Sequence, residues 1–378
     1  MKRLKKKHLL SVPLVLFLIY SLWLGFHILR FKTYECPVPA DSFFEVEGVY
    51  HIHTLFSDGR KSVGEVAKLA ARRGVDFIIL TDHGNPNLES MAEQGRREGV
   101  FVLAGSELSV SRGHLVGLGF DRPSQAFSQN AEEAVAEIQS AGGFSIIAHP
   151  YSKVSWTWGE LIEYSGIEII NANTSLKKNL LHTTPYLPAF LIKPKLALLK
   201  MLLSPERNLR KWDALNRIHP IYGYFSVDAH LLYKPLLDFL RLHVLLRNPL
   251  AEDFESAKVQ VLRALRKGRF YNAIDAAARA NGFRFWAEAS RRRIPMGATS
   301  SLLSSVTLHA SAPFPFGKEI CLLRNGKRIL RSQEDGLSYR VTEEGIYRVE
   351  VYLKERSPLA KNIPWILSNP IFVRKETP

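Results

Sequence analysis

Five short apolar runs in this 378-residue chain each end in residues that can ligate metals. They are His51 and His53 with Asp58 in VYHIHTLFSDG, His83 in FIILTDHG, Glu107 with His114 in LAGSELSVSRGH, His149 in SIIAHP, and Asp228 with His230 in YFSVDAH. Runs of this kind form strands, so the donors gather where strands stop. Residues two apart on a strand face the same side, and His51-Ile-His53 and Asp228-Ala-His230 each direct two donors at one point. Imidazole with carboxylate suits zinc, manganese or iron. No cysteine lies in any block, which favours a catalytic centre with open positions over a structural zinc site. Histidines bonded to backbone would explain any one block. They explain all five poorly, because six of the twelve histidines sit in strand-end blocks beside carboxylates. The pattern points to a multinuclear metallohydrolase.

Between the blocks the chain alternates strand and helix. EVEGVYHI leads into SVGEVAKLAARRG, where Ser62 and Glu65 form a capping-box pattern and Gly74 a helix stop. VDFIILTDHG, GVFVLAGSEL and HLVGLGF follow, then a helix NAEEAVAEIQSAGG capped by Asn130, then FSIIAHP, GIEIINAN and IYGYFSVDAH. About seven strands alternating with helices predict an α/β fold with a mainly parallel sheet and its chemistry at the strand C-terminal ends.

The blocks resemble the polymerase-and-histidinol-phosphatase (PHP) superfamily: HxHTxxSDG, TDHG, an inner Glu, AHP and DxH occur in the family's order over roughly residues 46–300. The resemblance implies a distorted (β/α)7 barrel with up to three metals. His51, His53, Glu107 and Asp228 would hold one. Glu107 would bridge to a second with His114 and His149, and Asp58, His83 and His230 would hold a third. No ligand position is missing, although some relatives use only two sites. Catalytic roles would fall on His83, Glu107, Asp228 and His230.

The N-terminus has a separate character. MKRLKKKH precedes LLSVPLVLFLIYSLWLGFHIL, residues 9–29, which carries no Asp, Glu, Lys or Arg and is long enough to cross a bilayer. The bulky, polar HILRFKTYEC that follows offers no cleavage site, and Cys36 lacks a lipidation context, so an uncleaved signal anchor is expected. Five Lys or Arg in the first seven residues, against Arg30 and Lys32 after the span, place the N-terminus in the cytoplasm. The remainder would face an extracytoplasmic compartment of a bacterial cell. Cys36 and Cys321 are expected to be free.

Two further segments break the alternation. LPAFLIKPKLALLKMLLSPERNLRKW, within 175–218, is both apolar and basic. It reads as an outer helix with a solvated basic face, or else as an amphipathic helix on the anchoring membrane. LLYKPLLDFLRLHVLLRNPL is similar in character and is expected to pack with it. From about Ser301 short strands with an Asn-Gly hairpin signal predict a C-terminal antiparallel β domain, 301–378, of immunoglobulin-like sandwich type. Its ending, PWILSNPIFV, resembles the carbaryl-hydrolase-like branch of the superfamily.

Two or three divalent ions would lower the pKa of a bridging water near Glu107 and neutralise a phosphoryl group, giving a membrane-anchored phosphomonoesterase or phosphodiesterase. Arg112 and Lys153 are the nearest basic residues in sequence to receive phosphate oxygens. The net charge of +15 suits an anionic small molecule or a lipid phosphate. Outward topology and the absence of a polymerase-sized partner domain argue against nucleic acid. The alternatives are a carbamate, ester or amide hydrolase on the same site, and a non-catalytic envelope protein that keeps metals for structure.

Overall fold

The computed structural model describes residues 2–34, 43–111, 113–123, 125–152, 156, 159, 161–302, 305–354 and 359–375, with side chains from residue 12 onward. It is a mixed α/β fold. The strands Phe44–Ile52, Phe77–Leu80 and Val100–Ala104 pair in parallel. The chain then continues through Ser106–Val110, Gly113–Leu118, Phe144–Ala148, Gly166–Asn171 and Tyr222–Ser226, which form a second sheet. The two sheets are stitched at both sides, by bridges Ile52↔Ala229 and His83↔Glu107. Backbone bonds reinforce both seams, Val227 N donating to Tyr50 O at 3.1 Å and Gly105 N to Leu80 O at 2.9 Å.

Local signals explain the elements. Ser62 caps the helix Val63–Ala71 in a capping box with Glu65, and Asn130 caps Ala131–Ser140. Asn325 and Gly326, at φ 50° and 79°, make the hairpin between Lys318–Arg324 and Lys327–Ser332. Pairing is less parallel than the alternation suggests, since Gly113–Leu118 runs antiparallel to both neighbours. Val110 pairs directly with Gly113. Two intervening residues permit only a hairpin, whereas a parallel return needs a crossover of about a dozen.

LLYKPLLDFLRLHVLLRNPL departs from its expected character. Its second half is the strand Arg241–Leu246, inserted between Phe44–Ile52 and Phe270–Ala273. Arg241 and His243 are polar yet buried because they face carboxylates. Arg241 pairs with Glu47. His243 Nδ1 meets Glu45 at 2.8 Å and its Nε2 meets Asp275 at 3.2 Å, while Arg279 reaches Glu47 at 2.8 Å. This network clamps the strand that carries His51 and His53. One contact with the apolar basic segment falls in the turn before the strand, where Lys195 Nζ lies 3.5 Å from Asp238.

The 175–218 region is a chain of short helices, Ala172–Thr183, Ala189–Ile192, Pro194–Met201 and Glu206–Leu215. Pro188, Pro194 and Pro205 sit at their starts, where a missing N–H costs nothing. Beyond Arg266, strand pairing runs across residues 300–301. Ile366–Ser368 pairs with Phe270–Ala273, and Arg284–Ala289 pairs with Val306–Ser311. Cys321 is buried and free, and Cys36 lies outside the described residues. The helix Lys2–Arg30 is long and apolar enough over Val12–Arg30 to cross a membrane, with mean hydropathy 2.1.

The buried network sets a pH window. Burial opposes charge on His243, but Asp275 and then Glu45 push it up to about 10 from an ordinary 6.5. Burial likewise opposes charge on Glu47, yet His243, Arg241 and Arg279 hold it at about 2 against 4.5. The His243 contribution is therefore complete below pH 6.5 and lost as pH climbs toward 10, and that of Glu47 is complete above 4.5 and lost toward 2. His243→Gln should cost about 3–5 kcal/mol near pH 6, and the deficit should shrink steadily toward pH 10. Urea unfolding across that range checks this, and a pH-independent deficit would refute it.

Candidate metal centre

All nine predicted donors meet at one end of the strands. Four overlapping groups form there: His53, Asp58, His83 and His230; His51, Glu107 and His149; His51, His53 and Asp228; and His83, Glu107 and His114. Within each group the ligand atoms lie within 4.8 Å of one another. Glu107 is the hub. Its Oε2 lies 3.1 Å from the Nε2 of both His51 and His53 and 3.5 Å from His83 Nδ1, and its Oε1 lies 2.8 Å from His114 Nδ1 and 2.7 Å from His149 Nε2. Asp228 Oδ1 stands 3.7 and 3.6 Å from His51 and His53. Toward solvent, Asp58 Oδ2 lies 3.1 Å from His230 Nε2 and 3.9 Å from His83 Nε2.

The backbone is bent to achieve this. His51, His149 and Asp228 have φ of 71°, 24° and 49°, in the left-handed region that non-glycine residues rarely adopt and that clusters at functional sites. At His51 the pairing register with the neighbouring strand shifts between Tyr50 and Ile52. His51 and His53 do point together, but through this bulge and not through simple strand alternation. A tight turn follows, where a Cβ on Gly59 would lie 2.4 Å from the His53 carbonyl.

Glu168 belongs to the site, and none of the motifs reveals it. It is buried in the strand Gly166–Asn171, accepts from His51 Nδ1 at 2.6 Å and from the His149 backbone N–H at 2.8 Å, and is held by Asn171 at 2.9 Å. With Nδ1 so engaged, His51 is left with Nε2 as its ligand atom, the usual outer support of a metal-binding imidazole. Its only sequence signal is a lone carboxylate inside the apolar run GIEII. Asp82 plays a similar bracing part, accepting from Thr54 N at 2.6 Å, Ser57 Oγ at 2.7 Å and Ser90 Oγ at 2.6 Å.

Charge in the site is strongly coupled. Burial would raise the Glu107 carboxyl, but His51, His114 and His149 hold it well below the usual carboxylate range. Against burial, His51 and His149 keep Asp228 down at about 2. His149 is pushed up to about 9, Glu107 overcoming burial, while burial lowers His83 despite Glu107 nearby. The centre is thus a set of ionised carboxylates interleaved with imidazoles, a donor set that fits divalent cations.

The centre opens into a cavity of about 450 Å³ lined by seven of the donors, Glu107 included, and by Ser152, Asn173, Thr174, Lys177 and Lys178. Arg112 and Lys153, the expected phosphate contacts, lie outside the described residues. Lys177 and Lys178 are the cations that line the cavity among the described residues, and the sequence reading did not single them out.

Comparison with known proteins agrees with this geometry. Residues 50–182 match the family model described as the PHP domain, so a PHP domain is present. The chain is 33% identical over 108 residues to a 3',5'-nucleoside bisphosphate phosphatase of Chromobacterium violaceum, covering 24% of this chain and 38% of that protein. It is 35% identical over 85 residues to a phosphoribosyl 1,2-cyclic phosphate 1,2-diphosphodiesterase of Eggerthella lenta, covering 21% and 32% respectively. It thus spans about a third of the length of these two curated relatives. Among solved structures it is similar to a two-domain protein from Bacteroides vulgatus containing a predicted PHP-like metal-dependent phosphoesterase. That similarity has 15% identity and a TM-score of 0.47, over 90% of this chain and 99% of that one. The chain therefore carries a PHP domain, and the relatives similar to it include a phosphatase and a phosphodiesterase.

Removing the outer support tests the arrangement. Glu168→Gln should lower metal affinity about 10- to 100-fold while leaving the circular dichroism spectrum unchanged, as measured by metal titration against a competing chelator. Unaltered affinity would remove Glu168 from the site.

Proposed function

We propose that this chain is a membrane-anchored, metal-dependent phosphoesterase acting on a phosphomonoester or phosphodiester. The observation that carries the reading is the meeting of nine donors around Glu107 in a cavity that Lys177 and Lys178 also line. His51, His53, Glu107 and Asp228 would hold one ion, Glu107, His114 and His149 a second, and Asp58, His83 and His230 a third, of zinc, manganese or iron type. Ions bound there supply Lewis acidity and an acidified water. The chain's own groups do the rest. Lys177 and Lys178 receive phosphate oxygens as charge-assisted donors. The Asn173 amide donates to Asp228 at 3.2 Å and steadies that carboxylate. His230 donates from Nδ1 to the Asp228 carbonyl at 3.0 Å, which leaves Nε2, 3.1 Å from Asp58 Oδ2, as its ligand atom for the third ion.

In this reading residues 46–300 form a distorted barrel of about seven strands, supported by the bridges that join its two sheets. Residues 301–378 add a mainly antiparallel β region that buttresses it by continuing its sheet, Ile366–Ser368 pairing with Phe270–Ala273, and 1–32 are a cytoplasmic tip and signal anchor, with the catalytic part extracytoplasmic. The basic N-terminal run supports that orientation. Kinship with the carbaryl-hydrolase-like branch, and with it carbamate or ester chemistry, rests on PWILSNPIFV. There Asn369 bonds Gly223 N at 2.8 Å and Phe270 O at 3.1 Å, a structural task. The cationic lining of the cavity favours phosphate.

Manganese- or zinc-loaded full-length protein in detergent should hydrolyse an aryl phosphomonoester or phosphodiester, and His83→Ala should lose about a hundredfold or more of that turnover with its thermal transition retained. Turnover of an aryl carboxylic ester alone would move the assignment to the carbamate and ester branch.

A further inference from the structure

The N-terminal helix is not isolated from the rest of the fold. Tyr20 Oη donates to the Pro185 carbonyl at 2.8 Å, and the rings of Trp23 and His27 lie 5.1 and 5.9 Å from that of Tyr186. At 1.5 Å per residue, Tyr20 is about 15 Å along the helix from Arg30, about half of a bilayer's hydrocarbon thickness. With Arg30 at the interface on the domain side, Pro185 and Tyr186 lie at the depth of the acyl chains. The surface around them has the matching character. Leu181, Leu191 and Ile192 are 86%, 91% and 64% exposed, with Leu180 and Leu187 beside them. Large apolar side chains laid bare together mark a contact surface.

The helix Ala172–Thr183 connects this patch to the centre. Its first turns put Asn173, Thr174, Lys177 and Lys178 into the wall of the metal-centre cavity, and its end carries Leu180 and Leu181. We propose that residues 180–192 insert into the outer leaflet beside the N-terminal helix, and that the substrate is a phosphate ester in the headgroup of a membrane-embedded lipid, presented to the centre along this helix. The occupant of the patch is the bilayer, because the patch is continuous with a helix apolar enough to span it and is flanked by Lys177, Lys178 and Lys193, which suit anionic headgroups. Hydrolysis balances without a co-reactant: water gives OH to phosphorus, the ester P–O bond breaks, and the remaining proton goes to the lipid alcohol or bridging oxygen that leaves. The substrate assignment rests on the phosphoesterase reading; the insertion of 180–192 does not.

The test uses the full chain in phosphatidylcholine vesicles doped with phosphatidic acid or phosphatidylglycerol, with a soluble aryl phosphate ester as comparison. Leu181→Asp with Leu191→Asp should leave aryl ester turnover unchanged and cut lipid turnover about tenfold or more. In a Cys36→Ser background, a fluorophore on Leu191→Cys should be quenched by spin-labelled acyl chains. No quenching overturns the insertion, and a detergent-stable dimer lost in the double variant would assign the patch to a second copy of the chain. Aryl turnover with no lipid turnover overturns the substrate class while the phosphoesterase reading survives. No turnover on any ester removes that reading and the lipid substrate with it, whatever the quenching shows.

Discussion

The structure is organised around one buried carboxylate. Five histidines from four segments of the chain approach the two oxygens of Glu107, at 2.7 to 3.5 Å. A carboxylate taken out of water without partners costs several kcal/mol, so the strand ends bearing those histidines are held together by the need to compensate it. Strand closure, register and the short connections can be understood as means of bringing Phe44–Ile52, Gly113–Leu118 and Phe144–Ala148 to the same point. In turn the first strand is fixed near its start by the Glu45, Glu47, Arg241 and His243 network.

Convergence has a conformational cost. Three of the donors occupy left-handed backbone at about 1–3 kcal/mol each, and the fold tolerates this because each bent residue is pinned by a neighbour. His51 and His149 both lean on Glu168, and Asp228 is flanked by the seam bonds of Val227 and Ala229. Strain of this kind holds donors in a geometry that protein packing alone would not choose, and relief by bound cations fits the chemistry of the site.

Much of this was legible in the sequence, for identifiable reasons. The nine donors lie in short motifs whose residue types are rare in strands, and helix caps such as Ser62 and Asn130 announce themselves by local chemistry. What escaped depends on contacts far apart in the chain. Glu168 looks like an interrupted strand until His51, 117 residues away, is seen against it. Arg241 and His243 look like the polar face of a helix because their partners lie far away in the chain, Glu47 in the first strand and Asp275 in the turn after Phe270–Ala273. Lys177 and Lys178 follow no motif and gain meaning only from the cavity they line. The apolar segment near 185 was legible as unusual, whereas its seat against Tyr20 and Trp23 was not.

The central claim, that Glu107 organises a multinuclear metal centre, is tested most directly by anomalous X-ray diffraction from crystals grown with manganese. The account predicts two or three anomalous peaks at the strand ends, at least one within about 2.0–2.2 Å of a Glu107 oxygen and a histidine nitrogen. Diffraction showing ordered donors and no peak within ligand distance of Glu107 would contradict it.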